Sequence, residues 1–181
     1  MGDLWRVDIG DGAWIGPFNV FKDLSALTVG QHAGFGHWNW VTATRQWSAV
    51  GAPCALHLGA HSAITSRHYI DCSGGVRVGT HTTIAGQRSS FLTHGISWKS
   101  SNQTFRPIEI GDYCLISSNV QVAPGTVVGN RIVVGMGATI GDRLTDPGLY
   151  VQSRASLVRS DLVGEYFVRG KGRIDTIQAP A

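Results

Sequence analysis

From Ile110 onward the chain places an aliphatic residue at every sixth position: IGDYCL, ISSNVQ, VAPGTV, VGNRIV, VGMGAT, IGDRLT, without a gap. The same phase recurs earlier, as LGAHSA, ITSRHY and IDCSGG from Leu58, and as VGTHTT and IAGQRS from Val78. VGQHAG and FGHWNW from Val29, and IGDGAW and IGPFNV from Ile9, complete the set. The openings fall at 9, 15, 29, 35, 41, 58, 64, 70, 78, 84, 110, 116, 122, 128, 134 and 140, and every one is Ile, Val, Leu or Phe. Ten of these sixteen are followed by Gly, where an average share would supply about two. A fixed short period of this kind is the signature of a repeat architecture.

Period six has a physical meaning. A strand alternates with period two, so six residues make one short strand and a tight corner. Three such sides close a triangular coil of about eighteen residues, whose stacked copies pair as parallel strands. The opening residue points inward and stacks on its equivalent in the next coil, while Gly in second place relieves crowding. The pattern therefore predicts an all-β solenoid, a parallel β-helix.

Two stretches break the period. Residues 42–57, TATRQWSAVGAPCALH, read as a loop carrying Trp47, with Trp38 and Trp40 just before it. Residues 90–107 read as a second loop, which contains His94. Insertions in a solenoid leave the coil as loops, often on its binding face. The Trp-rich segment either walls a ligand site or covers an apolar flank. The repeat fails after Thr145, giving a β-helix domain over 1–148 and a C-terminal cap and tail over 149–181.

Composition narrows the function. Charged residues are 15% of the chain and hydrophobic ones 43%, which excludes a disordered chain. A net charge of +3 gives no basis for nucleic-acid binding. Arg154, Arg159, Arg169, Lys171 and Arg173 gather late, which suggests a local anion site. Three cysteines without CxxC spacing argue against a disulfide framework and favour the cytoplasm. MGDLWRVDIG has no apolar signal core, and no run is long enough for a membrane span. His32, His61 and His81 each stand three places after an opening, so coils in register would stack them on one outer face.

The element LTHGIS, the following RPIEIGDYC, the long hexads and the closing VQSRASLVR together resemble the hexapeptide-repeat acyltransferases. The likeness covers about Leu58 to Arg159 and is nearest to sugar O-acetyltransferases of the maltose, galactoside, nodulation and colanic acid kinds. It implies a left-handed coil, a homotrimer, and acetyl-CoA or another acyl-CoA as co-substrate, with no metal. It implies acyl transfer to a hydroxyl of a sugar or glycoconjugate acceptor, with His94 as general base and Asp71 beside it. Ser66, Arg67 and His68 map to the acceptor side, with Ser66 where the maltose-type enzymes carry an asparagine. Ser118, Met136, Gly141 and Arg159 map to the CoA side. The Asp that often follows the histidine is Gly95 here, so Asp71 and Ser66 both stand as candidates to orient His94.

Other readings remain open at this point. Amino-sugar N-acyltransferases share the fold and often the histidine. A non-catalytic scaffold explains the coils but not the His94 loop. A zinc site of the γ-carbonic anhydrase kind would use His32 and His37, though no earlier histidine completes it. Cys72 as an acylated nucleophile is disfavoured, because the neighbouring Asp71 would raise its pKa.

Overall fold

The computed structural model describes residues 5–153, 156–158, 160, 161, 163–168 and 170. The chain winds through three parallel sheets in turn. The first face runs from Arg6–Ile9 through Ala26–Val29, Ala55–Leu58, Val76–Val78, Ile108–Ile110 and Val127–Val128 to Arg143–Leu144. The second runs from Trp14–Ile15 to Gly148–Tyr150, and the third from Val20–Lys22 to Thr139–Ile140. A coil thus visits each face once and returns to pair with its predecessor. Glu109 pairs with Val127, eighteen residues on, as the period predicts. Leu56 pairs with Val76, twenty residues on, because strands on this face are longer in the early coils.

Register turns the hexad openings into interior columns. Val29, Leu58, Val78, Ile110 and Val128 stack on the first face. Phe35, Ile64, Ile84, Ile116 and Val134 stack on the second, and Val41, Ile70, Phe91, Val122 and Ile140 on the third. All are buried. Each such side chain contributes about 1.5–3 kcal/mol of burial. Two openings depart from the pattern: Ile9 and Ile15 are 49% and 44% exposed, because they lie in the first described coil, with no described residues stacked beneath. A second interior position appears four residues after an opening. Ala33, Asn39, Ser62, His68, Thr82, Cys114, Val120, Thr126, Ile132 and Ala138 all occupy it and are buried.

The second-place glycines answer to the neighbouring coil. A Cβ on Gly59 would lie 2.5 Å from the Gly79 carbonyl carbon, which belongs to the coil above. The residue three places after a first-face opening turns the corner with left-handed backbone: φ is 53° at His32, 58° at His61, 53° at His81 and 57° at Tyr113. Their rings form an exposed ladder, with centroids 5.3, 4.8 and 4.8 Å apart. The expected histidine stack is therefore present, extended by Tyr113.

Both insertions leave the coil at the end of the third face. After Thr42 a 3₁₀ helix, Arg45–Val50, ends at Gly51, whose φ of 85° suits a residue without Cβ. After Phe91, an antiparallel hairpin pairs His94–Ser97 with Asn102–Phe105. Arg106 N–H donates to the Thr93 carbonyl at 2.8 Å and closes the hairpin's base. Coil pairing continues to Gly148–Tyr150. Beyond it the described residues include one short helix, Glu165–Val168. None of the described helices is long and apolar enough to cross a membrane.

Candidate active site

Asp71 ends the third-face strand Tyr69–Asp71, with Ile70 turned into the core. Its side chain points outward, yet the residue is only 2% exposed, because Ser73 and Thr93 close over it. Its Oδ1 accepts from Ser73 N–H at 3.1 Å and Ser73 Oγ at 2.7 Å. Its Oδ2 accepts from Thr93 N–H at 2.8 Å and Thr93 Oγ1 at 2.6 Å. Burial raises the Asp71 pKa, but hydrogen bonds from Thr93, Ser73 and His94 outweigh it and hold the carboxyl below its ordinary range. The carboxylate is charged, buried and fully bonded.

His94 is the first residue of the hairpin, so its position is set by the coil beneath it. Its Nδ1 lies 2.7 Å from Asp71 Oδ2. An ionised carboxylate only accepts, so the proton of a neutral His94 belongs on Nδ1 and Nε2 keeps its lone pair. Among the described residues Nε2 has no hydrogen-bond partner, and the side chain is 36% exposed. Trp47 meets the imidazole edge to face at 5.4 Å and 88°, and leans on Phe105 at 6.1 Å. Phe105 is His94's partner across the hairpin. The two insertions thus meet over one imidazole. Thr44 N–H donates to Ser73 Oγ at 2.9 Å, which ties the Trp47 loop to the Asp71 network. Such a site can take a proton at Nε2 and stabilise the resulting imidazolium.

The other residues singled out in the sequence fall in several places. Ser66 is bonded to His37, accepting from its N–H at 3.2 Å and pairing with Nδ1 at 3.1 Å, and makes no bond to His94. Of the two candidates for orienting His94, Asp71 is the one in contact. Arg67 is exposed at a left-handed corner, with φ 59°. His68 is different: it fills the interior position and is buried. Its Nδ1 accepts from Ser89 N–H at 3.2 Å, so its proton sits on Nε2, 3.2 Å from Thr65 Oγ1. Burial lowers its pKa to about 4. With both nitrogens engaged inside the coil, His68 presents no edge to an acceptor.

Ser118 and Met136 lie on successive coils at the corner between the second and third faces, where Gly137 N–H donates to the Ser118 carbonyl at 3.0 Å. Met136 is exposed, and Gly141 follows the last third-face strand. Arg159 lies outside the described residues, as do Arg154, Arg169, Lys171 and Arg173. Cys72 is inside the coil, and burial, Asp71 and Cys54 push its thiol well above the ordinary value, which unsuits it as a nucleophile. Among the described residues no group of three or more His, Cys, Asp or Glu side chains could hold a metal ion. His32, His61 and His81 stack in a ladder instead of converging. The contributions of Thr93 and Ser73 escaped the sequence reading, and the Trp-rich segment was left between walling a site and covering a flank; the one available signal was that both loops interrupt the coil on the same face.

Comparison with known proteins agrees with this architecture. Residues 107–142 match the family described as bacterial transferase hexapeptide (six repeats). Proteins provisionally named colanic acid biosynthesis acetyltransferase WcaF, from Escherichia coli (strain K12) and Shigella flexneri, are each 25% identical over 136 residues. The alignment covers 75% of this chain and 48% of theirs, so the chain spans about half the length of the curated relatives it matches. Among solved structures, AntD, an N-acyltransferase from Bacillus cereus, superposes with a TM-score of 0.69 at 13% identity, over 84% of this chain and 81% of its own. Repeat, coil and superposition together show a left-handed parallel β-helix fold, with the hexapeptide-repeat match confined to residues 107–142.

Proposed function

We propose that the chain is an acyl-CoA-dependent acyltransferase that moves an acyl group, acetyl in the simplest case, onto a sugar hydroxyl. The observation that carries this reading is the Asp71–His94 pair, with Nδ1 bonded to the carboxylate and Nε2 left open. A hydroxyl is a poor nucleophile until it loses its proton, and imidazole takes one near neutral pH. His94 Nε2 removes the acceptor's proton as its oxygen attacks the thioester carbonyl. The imidazolium, held by Asp71, then returns that proton to the departing CoA sulfur. One C–O bond forms, one C–S bond breaks, and the enzyme ends unchanged. No covalent enzyme intermediate is needed.

The kinship supports both substrates. The WcaF relatives carry an acetyltransferase name, and AntD was solved with coenzyme A and dTDP-4-amino-4,6-dideoxyglucose. On the donor side we assign Ser118, Met136, Gly141 and Arg159, with a homotrimer supplying the second wall of the CoA cleft. On the acceptor side Arg67 and Ser66 remain, and His68 drops out. AntD is an N-acyltransferase, so transfer to an amino sugar is the second reading. The buried carboxylate favours the hydroxyl, since a neutral amine attacks without prior deprotonation and gains less from a held base.

The test is release of free CoA from acetyl-CoA, with wild type and His94→Ala, across a panel of sugars, nucleotide sugars and amino sugars. Turnover with a hydroxyl acceptor that falls about 10²–10⁴-fold in the variant is expected. Turnover confined to amino sugars would select the second reading. Absence of CoA binding would leave the coil as a scaffold.

A further inference from the structure

One feature of the third face plays no part in proton transfer. Arg67 and Arg88 occupy the same left-handed corner on adjacent coils, with φ of 59° and 63°, and Arg88 N–H donates to the Arg67 carbonyl at 3.0 Å. Their Cα atoms are therefore about 5 Å apart, one coil spacing, and both side chains are exposed. The ion pairs among the described residues are Arg6–Asp8, Lys22–Asp23 and His94–Asp71, so neither corner arginine has a carboxylate partner there. Like charges placed side by side on neighbouring strands repel. Two neighbouring guanidiniums without a carboxylate partner make this corner electropositive, and an anion there would relieve their repulsion.

The corner leads directly to the base. Tyr69 and Asp71 stand at alternate positions of the strand Tyr69–Asp71, so their side chains leave the same face about 7 Å apart, and Arg67 turns the corner two residues before that strand's first residue. Tyr69 is 41% exposed, and its register partner Trp40 on the coil below is 52% exposed. The Tyr69 hydroxyl lies 3.5 Å from Thr42 Oγ1, which draws the ring toward the Asp71 end of the face, since Thr42 is Asp71's register partner. Below Arg67 at the corner, Trp38 stacks on Phe18 at 4.4 Å. An aromatic floor thus lies between a dicationic corner and an open imidazole.

We propose that this strip is an acceptor subsite for an anionic sugar: Arg67 and Arg88 grip a phosphate or carboxylate, and Trp40 and Tyr69 support the ring. Guanidinium pairs bind such groups through charge-assisted, often bidentate hydrogen bonds. Aromatic faces receive the apolar faces of sugar rings. The anionic group sits at the corner, with the strand Tyr69–Asp71 between it and the base, so it belongs at least one sugar length from the acylated hydroxyl. The proposal builds on acyl transfer for its direction, but the subsite can be tested alone.

The experiment is a binding titration without acetyl-CoA, followed by tryptophan fluorescence and ligand-observed NMR. The probes are glucose 1-phosphate and galacturonic acid against neutral methyl glucoside, with coenzyme A titrated separately. The proteins are wild type, Arg67→Ala/Arg88→Ala and Trp40→Ala/Tyr69→Ala, each checked for the native circular dichroism spectrum. Wild type should bind the anionic sugars at least about tenfold more tightly than the neutral one, and added salt should erode the difference. The arginine variant should erase that preference while leaving coenzyme A binding intact, and the aromatic variant should weaken all three sugars together. Equal binding of neutral and anionic sugars by wild type overturns the proposal. So does an arginine variant that loses coenzyme A and keeps its sugar preference, which would assign the corner to the donor's phosphates. Anion-dependent sugar binding without any CoA release in the turnover assay would sink acyl transfer and leave the subsite standing.

Discussion

Replacing Asp71 by Asn keeps the shape of the side chain and removes its charge. The two native oxygens take part in five hydrogen bonds, from Ser73 N–H and Oγ, Thr93 N–H and Oγ1, and His94 Nδ1. An amide has one oxygen. Turned toward Thr93 and His94 it keeps three of those bonds, and His94 keeps its tautomer. The amide NH₂ then faces Ser73, whose hydroxyl can rotate to accept but whose N–H loses its partner. A buried N–H left unpaired costs about 1–3 kcal/mol. For a chain of this size that lowers Tm by roughly 2–4 °C per kcal/mol. Catalysis loses more. Two unit charges 4 Å apart interact by about 4 kcal/mol at an effective dielectric of 20, and the partial exposure of His94 reduces this to roughly 2–4 kcal/mol. The imidazolium formed in proton transfer forfeits that stabilisation, so kcat should fall by about 30- to 10³-fold. The KM for acetyl-CoA should stay within about threefold, since Asp71 has no surface to offer the donor. Steady-state CoA release, paired with thermal melts by circular dichroism, measures both effects. A kcat within threefold of wild type, in an assay where His94→Ala is inactive, would refute the charge argument.

The coil makes two predictions of its own. Gly59→Ala places a methyl against the Gly79 carbonyl, which as main chain cannot swing aside, so the variant should lose about 1–3 kcal/mol. Gly95→Ala, with nothing within 4 Å, should stay within about 0.5 kcal/mol, and urea unfolding compares the two. His68 gives a pH signature. Its pKa falls from 6.5 to about 4 on folding, so below 6.5 the unfolded chain binds a proton that the folded chain refuses. Stability should drop as pH falls from 6.5 to 4, by up to about 3 kcal/mol, and His68→Gln should flatten that slope. Asp71 acts lower: its depressed pKa gives stability that is complete above the ordinary carboxylate value and is lost as pH falls through the folded one. Burial and the Arg77 charge lower the pKa of His57 as well, so its share adds to the same slope. The difference between wild type and His68→Gln in urea midpoints at pH 7, 5.5 and 4.5 isolates the His68 share; an unchanged slope in the variant would mean His68 is not the group responsible.

The columns were legible because their cause is periodic. An inward side chain every sixth residue is a geometric demand of a three-sided coil, and the sequence repeats it. Phe91 was missed because the corner before it holds one residue more than its equivalent before Ile70, which breaks the count without breaking the stack. His68 was placed on the acceptor side by resemblance, and counting only openings as interior gave no reason to withdraw it, whereas the fourth residue after an opening also points inward wherever the corner keeps its usual length. The Asp71–His94 pairing was half legible: both residues stood out, but their contact spans 23 positions and exists only because adjacent coils align. Trp47 was placed on a loop, but its contact with His94 was not legible. Its contact with His94 joins two insertions that obey no period, so the packing of their surfaces decides it.

The parallel stacking also fixes an order of events during synthesis. Each strand pairs with the coil before it, so a chain emerging from its N-terminus can lay down finished coils one at a time, each new edge serving as template for the next. When Asp71 emerges, Thr93 and His94 do not yet exist, and the carboxylate stands wet on the growing edge. A charge there discourages a second nascent chain from adding its own strand. The arrival of the next coil supplies donors, seals the carboxylate and sets the imidazole upright in the same step. Guarding the unfinished edge and completing the site are successive duties of one side chain.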